Sequence, residues 1–108
     1  MQLDDYQAAA RRTAMYDDGY RVVYPALGLA SEAGEVCGKI KKVLRDQAGD
    51  FAEAPLDALE DELGDVLWYI AVLACDLGLS LDQIATRNLD KLNSRLTRAQ
   101  LGGSGDRR

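Results

Sequence analysis

The chain has 108 residues, 47% of them hydrophobic, and a formal net charge of −5 from 13 Lys and Arg against 18 Asp and Glu. That length suits one domain with a small core, and the acidic balance excludes a protein whose main task is to coat nucleic acid, which needs a basic footprint. No histidine occurs, which removes His-dependent triads, His-containing zinc sites and the Glu-x-x-His di-iron motif.

From the N-terminus, residues 3–16 have helix-forming composition, with Asp4 and Asp5 near the positive end of the helix dipole. Asp17, Asp18 and Gly19 read as a turn, and Pro25 suits the first position of a second helix running to about Leu44. Residues 45–55 contain Gly49 and Pro55 and no period, so a loop is expected. A third helix follows over 56–77, closed by Gly78, and Ser80 caps a fourth over 81–98. The domain is expected over 1–101, with 102–108 as a flexible tail. No apolar run reaches the roughly 18 residues that span a bilayer. No leader pattern opens the sequence, so a cytoplasmic location without a membrane partner is expected.

Apolar residues recur at about 100° per residue in each of the last three segments. Leu29, Ala33, Val36, Cys37, Ile40, Val43 and Leu44 line the second. Leu59, Leu63, Val66, Leu67, Ile70, Leu73, Ala74 and Leu77 line the third, and Leu81, Ile84, Ala85, Leu89, Leu92 and Leu96 the fourth. Nothing alternates with period two, so the fold class is all-α, a four-helix bundle-like single domain. A core this small leaves helix faces uncovered, and a homodimer or homotetramer is expected to complete it. Cys37 and Cys75 fall in the helical patterns and are expected as buried thiols. Trp68 lies off the main stripe and is expected at a subunit interface.

Glu32 and Glu35 stand three apart on the second helix, and Glu62 and Asp65 repeat that spacing on the third, each pair at the border of an apolar stripe. Tyr69 falls between Glu62 and Asp65 in angle. Glu and Asp at this spacing are common on solvated helix surfaces, but two such pairs on packing helices bring like charges together unless cations neutralise them. Oxygen donors alone select a hard ion, Mg²⁺ with Mn²⁺ as substitute. On the fourth helix Asn88, Lys91 and Arg95 form one line, with Asn88 inside the apolar stripe where its amide needs a partner. They suit substrate phosphates, or else a core amide and ion pairs to the acidic helices. Lys39, Lys41 and Lys42 suit the dipole at the end of the second helix, while Lys39 and Lys42 share the flank of Glu32 and Glu35.

The segments GLASEAGEV (28–36), ELGDVLWYIAVLA (62–74) and NLDKLNSR (88–95), in that order, resemble the MazG-like nucleoside triphosphate pyrophosphohydrolases of the all-α superfamily. The likeness extends to the opening YQAAARRTAMY and the closing GSGDRR, so it covers nearly the whole chain. It implies that Glu32, Glu35, Glu62 and Asp65 are catalytic magnesium ligands, with Asn88, Lys91 and Arg95 at the substrate. It further implies attack of a metal-activated water at the α-phosphorus of a (deoxy)nucleoside triphosphate and release of pyrophosphate, as in nucleotide-pool house-cleaning. Ser31 departs from the pattern of many members, which carry a further glutamate immediately before the first ligand. Two alternatives stand beside this reading. One is a related hydrolase of phosphoribosyl-ATP, dUTP or dCTP; the other is a non-catalytic helical interaction module.

Overall fold

The computed structural model describes residues 1–99, so the expected tail at 102–108 lies outside the described residues. Four helices follow one another: α1 (Leu3–Arg12), α2 (Val23–Gln47), α3 (Leu56–Asp76) and α4 (Leu81–Arg98), with single 3-10 turns at Asp18–Tyr20 and Phe51–Glu53. No strand occurs among the described residues.

The helix boundaries follow local chemistry. α1 stops at Arg12, short of the expected Tyr16, because Thr13 Oγ1 donates to Ala10 O at 2.7 Å and the Thr13 and Ala14 amides close the last turn onto Ala10 and Arg11. Pro25 sits in the first turn of α2, where a missing N–H costs nothing. Ala48 and Gly49 turn left-handed at φ 53° and 79°, and the Gly49 amide donates to Val43 O at 3.2 Å, ending α2 three residues beyond the expected Leu44. Gly78, at φ 73°, ends α3, and Ser80 Oγ accepts from the Gln83 amide at 3.1 Å to start α4.

α2 and α3 form a long antiparallel hairpin, roughly 37 Å and 31 Å at 1.5 Å per residue. Their seam buries Val43 and Leu59. α1 lies antiparallel on the C-terminal half of α3, where Ala10, Ala71, Val72 and Leu81 form a second apolar cluster with Tyr6, Trp68 and Ile70 packed against it. Trp68 is thus covered from within the chain: α1 rests on it, and its indole N–H donates to Thr13 Oγ1 at 2.7 Å. The interface expected for it is not needed to explain its position. Cys37 is exposed and Cys75 half-buried, so neither is the buried thiol expected; the apolar stripe of α2 is wider than the face α3 covers.

Between α3 and α4 the chain turns by 105°. Gln7, buried in α1, fixes that turn. Its amide Nε2 donates to Leu79 O at 2.9 Å and Ala71 O at 3.3 Å, and its Oε1 accepts from the Leu81 amide at 2.9 Å. Asp4 accepts from Ser80 Oγ and the Asp82 amide, and these hydrogen bonds hold its carboxyl below the ordinary value. α4 therefore leans on α1 and leaves much of its apolar stripe in solvent: Leu89 is 59% and Leu96 75% exposed.

A second clamp lies at the entry to α2. Val22 adopts φ 69°, ψ −55°, a γ-turn closed by the Val23 amide donating to Arg21 O at 2.8 Å, and strained for a β-branched residue. Asp76 holds it, accepting from the Val22 amide at 2.9 Å and the Tyr16 hydroxyl at 2.7 Å, with Arg21 Nε 3.6 Å away. Burial pushes the Asp76 carboxyl up, but those two donors and the Arg21 and Arg11 charges outweigh it and leave it below the ordinary value.

Gln7→Leu leaves the Leu79 carbonyl and Leu81 amide without the partner that orients α4, and is expected to cost about 2 kcal/mol in denaturant unfolding. An unchanged midpoint would show that the turn holds itself.

Candidate metal centre

The antiparallel register of the hairpin builds the site. Gly28 lies beneath the ring of Tyr69, Glu32 comes opposite Glu62 and Asp65, and Lys39 reaches back to Glu62. One carboxylate oxygen from each of Glu32, Glu62 and Asp65 lies within 4.8 Å of the others. Glu32 and Glu62 are half-buried, whereas Asp65 is exposed, so the cluster opens to solvent on one side. The Glu32 carboxyl is pushed above its ordinary value, first by burial, then by a hydrogen bond with Glu62 and by the charges of Asp65, Glu62 and Glu35. Lys39 Nζ stands 3.6 Å from Glu62 Oε1.

Beside the cluster lies a hollow of about 580 Å³ walled by Tyr16, Tyr20, Tyr24, Trp68 and Tyr69, with Met15 and Asp17 at its edge. Tyr16 and Tyr24 stack with centroids 5.1 Å apart, and Trp68 meets Tyr69 edge-on at 5.0 Å. Tyr69 belongs to both features. Its hydroxyl is raised by burial, by a hydrogen bond with Tyr24, and by the charges of Glu32 and Asp65. Gly28 is required here, because a Cβ at this position would overlap the Tyr69 ring. The Tyr16 hydroxyl, bonded to Asp76, is pushed up to about 12 by burial and by that carboxylate.

Of the sequence-derived site residues, Glu32, Glu62 and Asp65 come together. Glu35 is exposed and outside that close group, although its charge acts on Glu32. Asn88 and Lys91 are exposed and Arg95 half-buried on α4, which starts about three turns of α3 beyond Asp65 and turns away. None of the charges acting on Glu32 comes from α4. Asn88 is solvated, so the buried amide expected of it does not occur; the stripe it belongs to is covered at Leu81 but lies open around Asn88 and Leu89. Two features were not read from sequence. The Lys39–Glu62 pair had a visible signal in the flank that Lys39 shares with Glu32 and Glu35, while the tyrosine hollow, gathered from several segments, had none in any periodicity.

The MazG nucleotide pyrophosphohydrolase domain model matches residues 25–98, the segment that holds all of these carboxylates. The chain belongs to the MazG nucleotide pyrophosphohydrolase family. It is also 45% identical over 114 aligned positions to the Gene 37 protein of Mycobacterium phage L5, covering 100% of both chains. No solved structure matches it. The MazG family is in general metal-dependent, and the cluster fits a hard divalent cation: its donors are all carboxylate oxygens, close enough to share one ion and repelling each other without it.

A carboxyl whose pKa is raised on folding binds more protons folded than unfolded, so its contribution to metal-free stability falls as pH rises through that value. A divalent cation reverses this by replacing the proton. The rise in melting temperature on adding Mn²⁺ is therefore expected to shrink on acidification with a midpoint above the ordinary glutamate value. With Mn²⁺ no more concentrated than its dissociation constant, so that mass action does not pull the midpoint down, a midpoint at or below that value would mean that Glu32 is not in the ion's path.

Proposed function

We propose that this chain hydrolyses (deoxy)nucleoside triphosphates to the monophosphate and pyrophosphate with Mg²⁺, Mn²⁺ substituting, in the service of nucleotide-pool house-cleaning. The observation that carries the reading is the closeness of Glu32, Glu62 and Asp65, with Tyr69 linking them to the tyrosine hollow. Glu35, one turn from Glu32, is the fourth carboxylate of the set. When bound, the cation supplies charge neutralisation at the phosphoanhydride and lowers the pKa of a water beside it. The chain's own residues do the rest: Glu32, Glu35, Glu62 and Asp65 would hold the ion, and the Tyr16, Tyr24 and Tyr69 rings hold the base by stacking so that the α-phosphate faces the carboxylates.

A triphosphate also needs cationic side chains, and here the reading extends to a second copy. α4 bears Asn88, Lys91 and Arg95 beside Leu89, Leu92 and Leu96, all three leucines exposed. The hairpin likewise exposes Leu44, Leu56 and Leu63. Pairing these faces in a homodimer or homotetramer buries that apolar surface, and carries Asn88, Lys91 and Arg95 of one copy toward the phosphates held by another. Whether the preferred nucleotide is a common dNTP, dUTP, dCTP or phosphoribosyl-ATP is read from a substrate panel with pyrophosphate detection.

The purified chain is expected to release pyrophosphate from dNTPs only when Mg²⁺ or Mn²⁺ is added, and Glu62→Gln to lose at least about a thousandfold in kcat while keeping its circular dichroism. No turnover by the unmodified chain across the panel would favour a non-catalytic interaction module. Gly28→Val, which drives a side chain into the Tyr69 ring, is expected to raise KM for nucleotides more than it lowers kcat. A pure kcat effect would remove the hollow from base binding.

A further inference from the structure

Lys39 is the one basic side chain with an ion pair to the carboxylate cluster among those described, 3.6 Å from Glu62 Oε1. Its side chain is only 28% exposed and that of Glu62 18%, so the pair is less screened than an ordinary surface pair. It also lines a second cavity, of about 400 Å³, together with Lys42, Val43, Gln47 and Pro55. Two acids face the same cavity. Asp46 is already engaged by Arg45 at 2.7 Å, and Glu53 stands at the far wall, where its carbonyl accepts from Gln47.

The features lie in line along α2. Tyr24 and Gly28 adjoin the tyrosine hollow, Glu32 follows one turn on, and Lys39 lies seven residues further, roughly 10 Å along the axis. A nucleotide with its base in the hollow and its α-phosphate at the carboxylates has its terminal phosphates pointing toward Lys39 and Lys42.

Resting on the metal-centre reading above, we propose that Lys39 is a built-in exchange cation. In the ion-free chain its ammonium neutralises Glu62; when a divalent cation takes Glu62, Lys39 is released and grips the terminal phosphates that leave as pyrophosphate. The same charge that competes with the metal before substrate arrives thus favours substrate afterwards. No bond is made or broken by the lysine, and only its partner changes.

The two halves predict opposite signs in one variant. Mn²⁺ binding to the nucleotide-free protein, followed by electron paramagnetic resonance, is expected to tighten roughly threefold to tenfold in Lys39→Met, because a competing positive charge is gone. At saturating Mn²⁺ the same variant is expected to raise KM for dNTPs about tenfold with little change in kcat. Lys39→Arg, which keeps the charge, is expected to return Mn²⁺ affinity to that of the unmodified chain. A purely structural lysine would weaken both ligands or neither. Unchanged or weaker Mn²⁺ binding in Lys39→Met, with Mn²⁺ binding in the unmodified chain, overturns the exchange alone. Failure of the unmodified chain to bind Mn²⁺ overturns the metal centre and the exchange together.

Discussion

Everything in this molecule is arranged around a repulsion. Two helices whose seam buries Val43 and Leu59 bring Glu32, Glu62 and Asp65 within 4.8 Å of one another at its edge. Such a cluster opposes the packing that creates it, and the chain tolerates it through three local adjustments: Glu32 holds a proton more readily than a free carboxyl, Lys39 stands against Glu62, and Asp65 remains in water. None of these removes the repulsion fully, and a hard divalent cation is the kind of ligand that such unneutralised carboxylates fit.

The remaining elements keep the hairpin from relieving the repulsion by sliding apart. Asp76 ties the start of α2 to the end of α3 through Val22, and Tyr69 over Gly28 sets the register one turn from Glu32. α1 contributes differently. By inserting Gln7 into the α3–α4 turn it holds α4 off the hairpin, so an apolar stripe that would normally close a four-helix core is left facing outward. In a chain this short, that exposure is the energetic counterpart of a helix committed to a neighbour.

Most of the fold was legible in the sequence because its boundaries are set by residues with strong local preferences: Pro25 at the start of α2, Gly78 and Ser80 around the last turn, and a 3.6-residue period between them. The carboxylate pairs were legible for the same reason, since three-residue spacing fixes a shared face. What periodicity cannot encode is which of several apolar faces finds a partner. The α2 stripe is wider than α3 covers, which exposed Cys37, and Trp68, off the stripe of α3, packs against α1. Gln7 and Asp76 were invisible because their roles depend on partners 54 to 74 positions away.

The position of Tyr69 links the two halves of the site more tightly than their adjacency alone requires. Its ring forms one wall of the hollow, lies against the backbone of Gly28, and its hydroxyl feels the charges of Glu32 and Asp65. Anything that filled the hollow would press on the element that spaces α2 from α3, and that spacing sets the distance between the carboxylates. Filling the hollow and neutralising the cluster consequently act on one shared coordinate, the separation of two helices at Gly28 and Tyr69. The small residue at that point lets the two helices approach closely enough to bring Glu32 within 4.8 Å of Glu62 and Asp65.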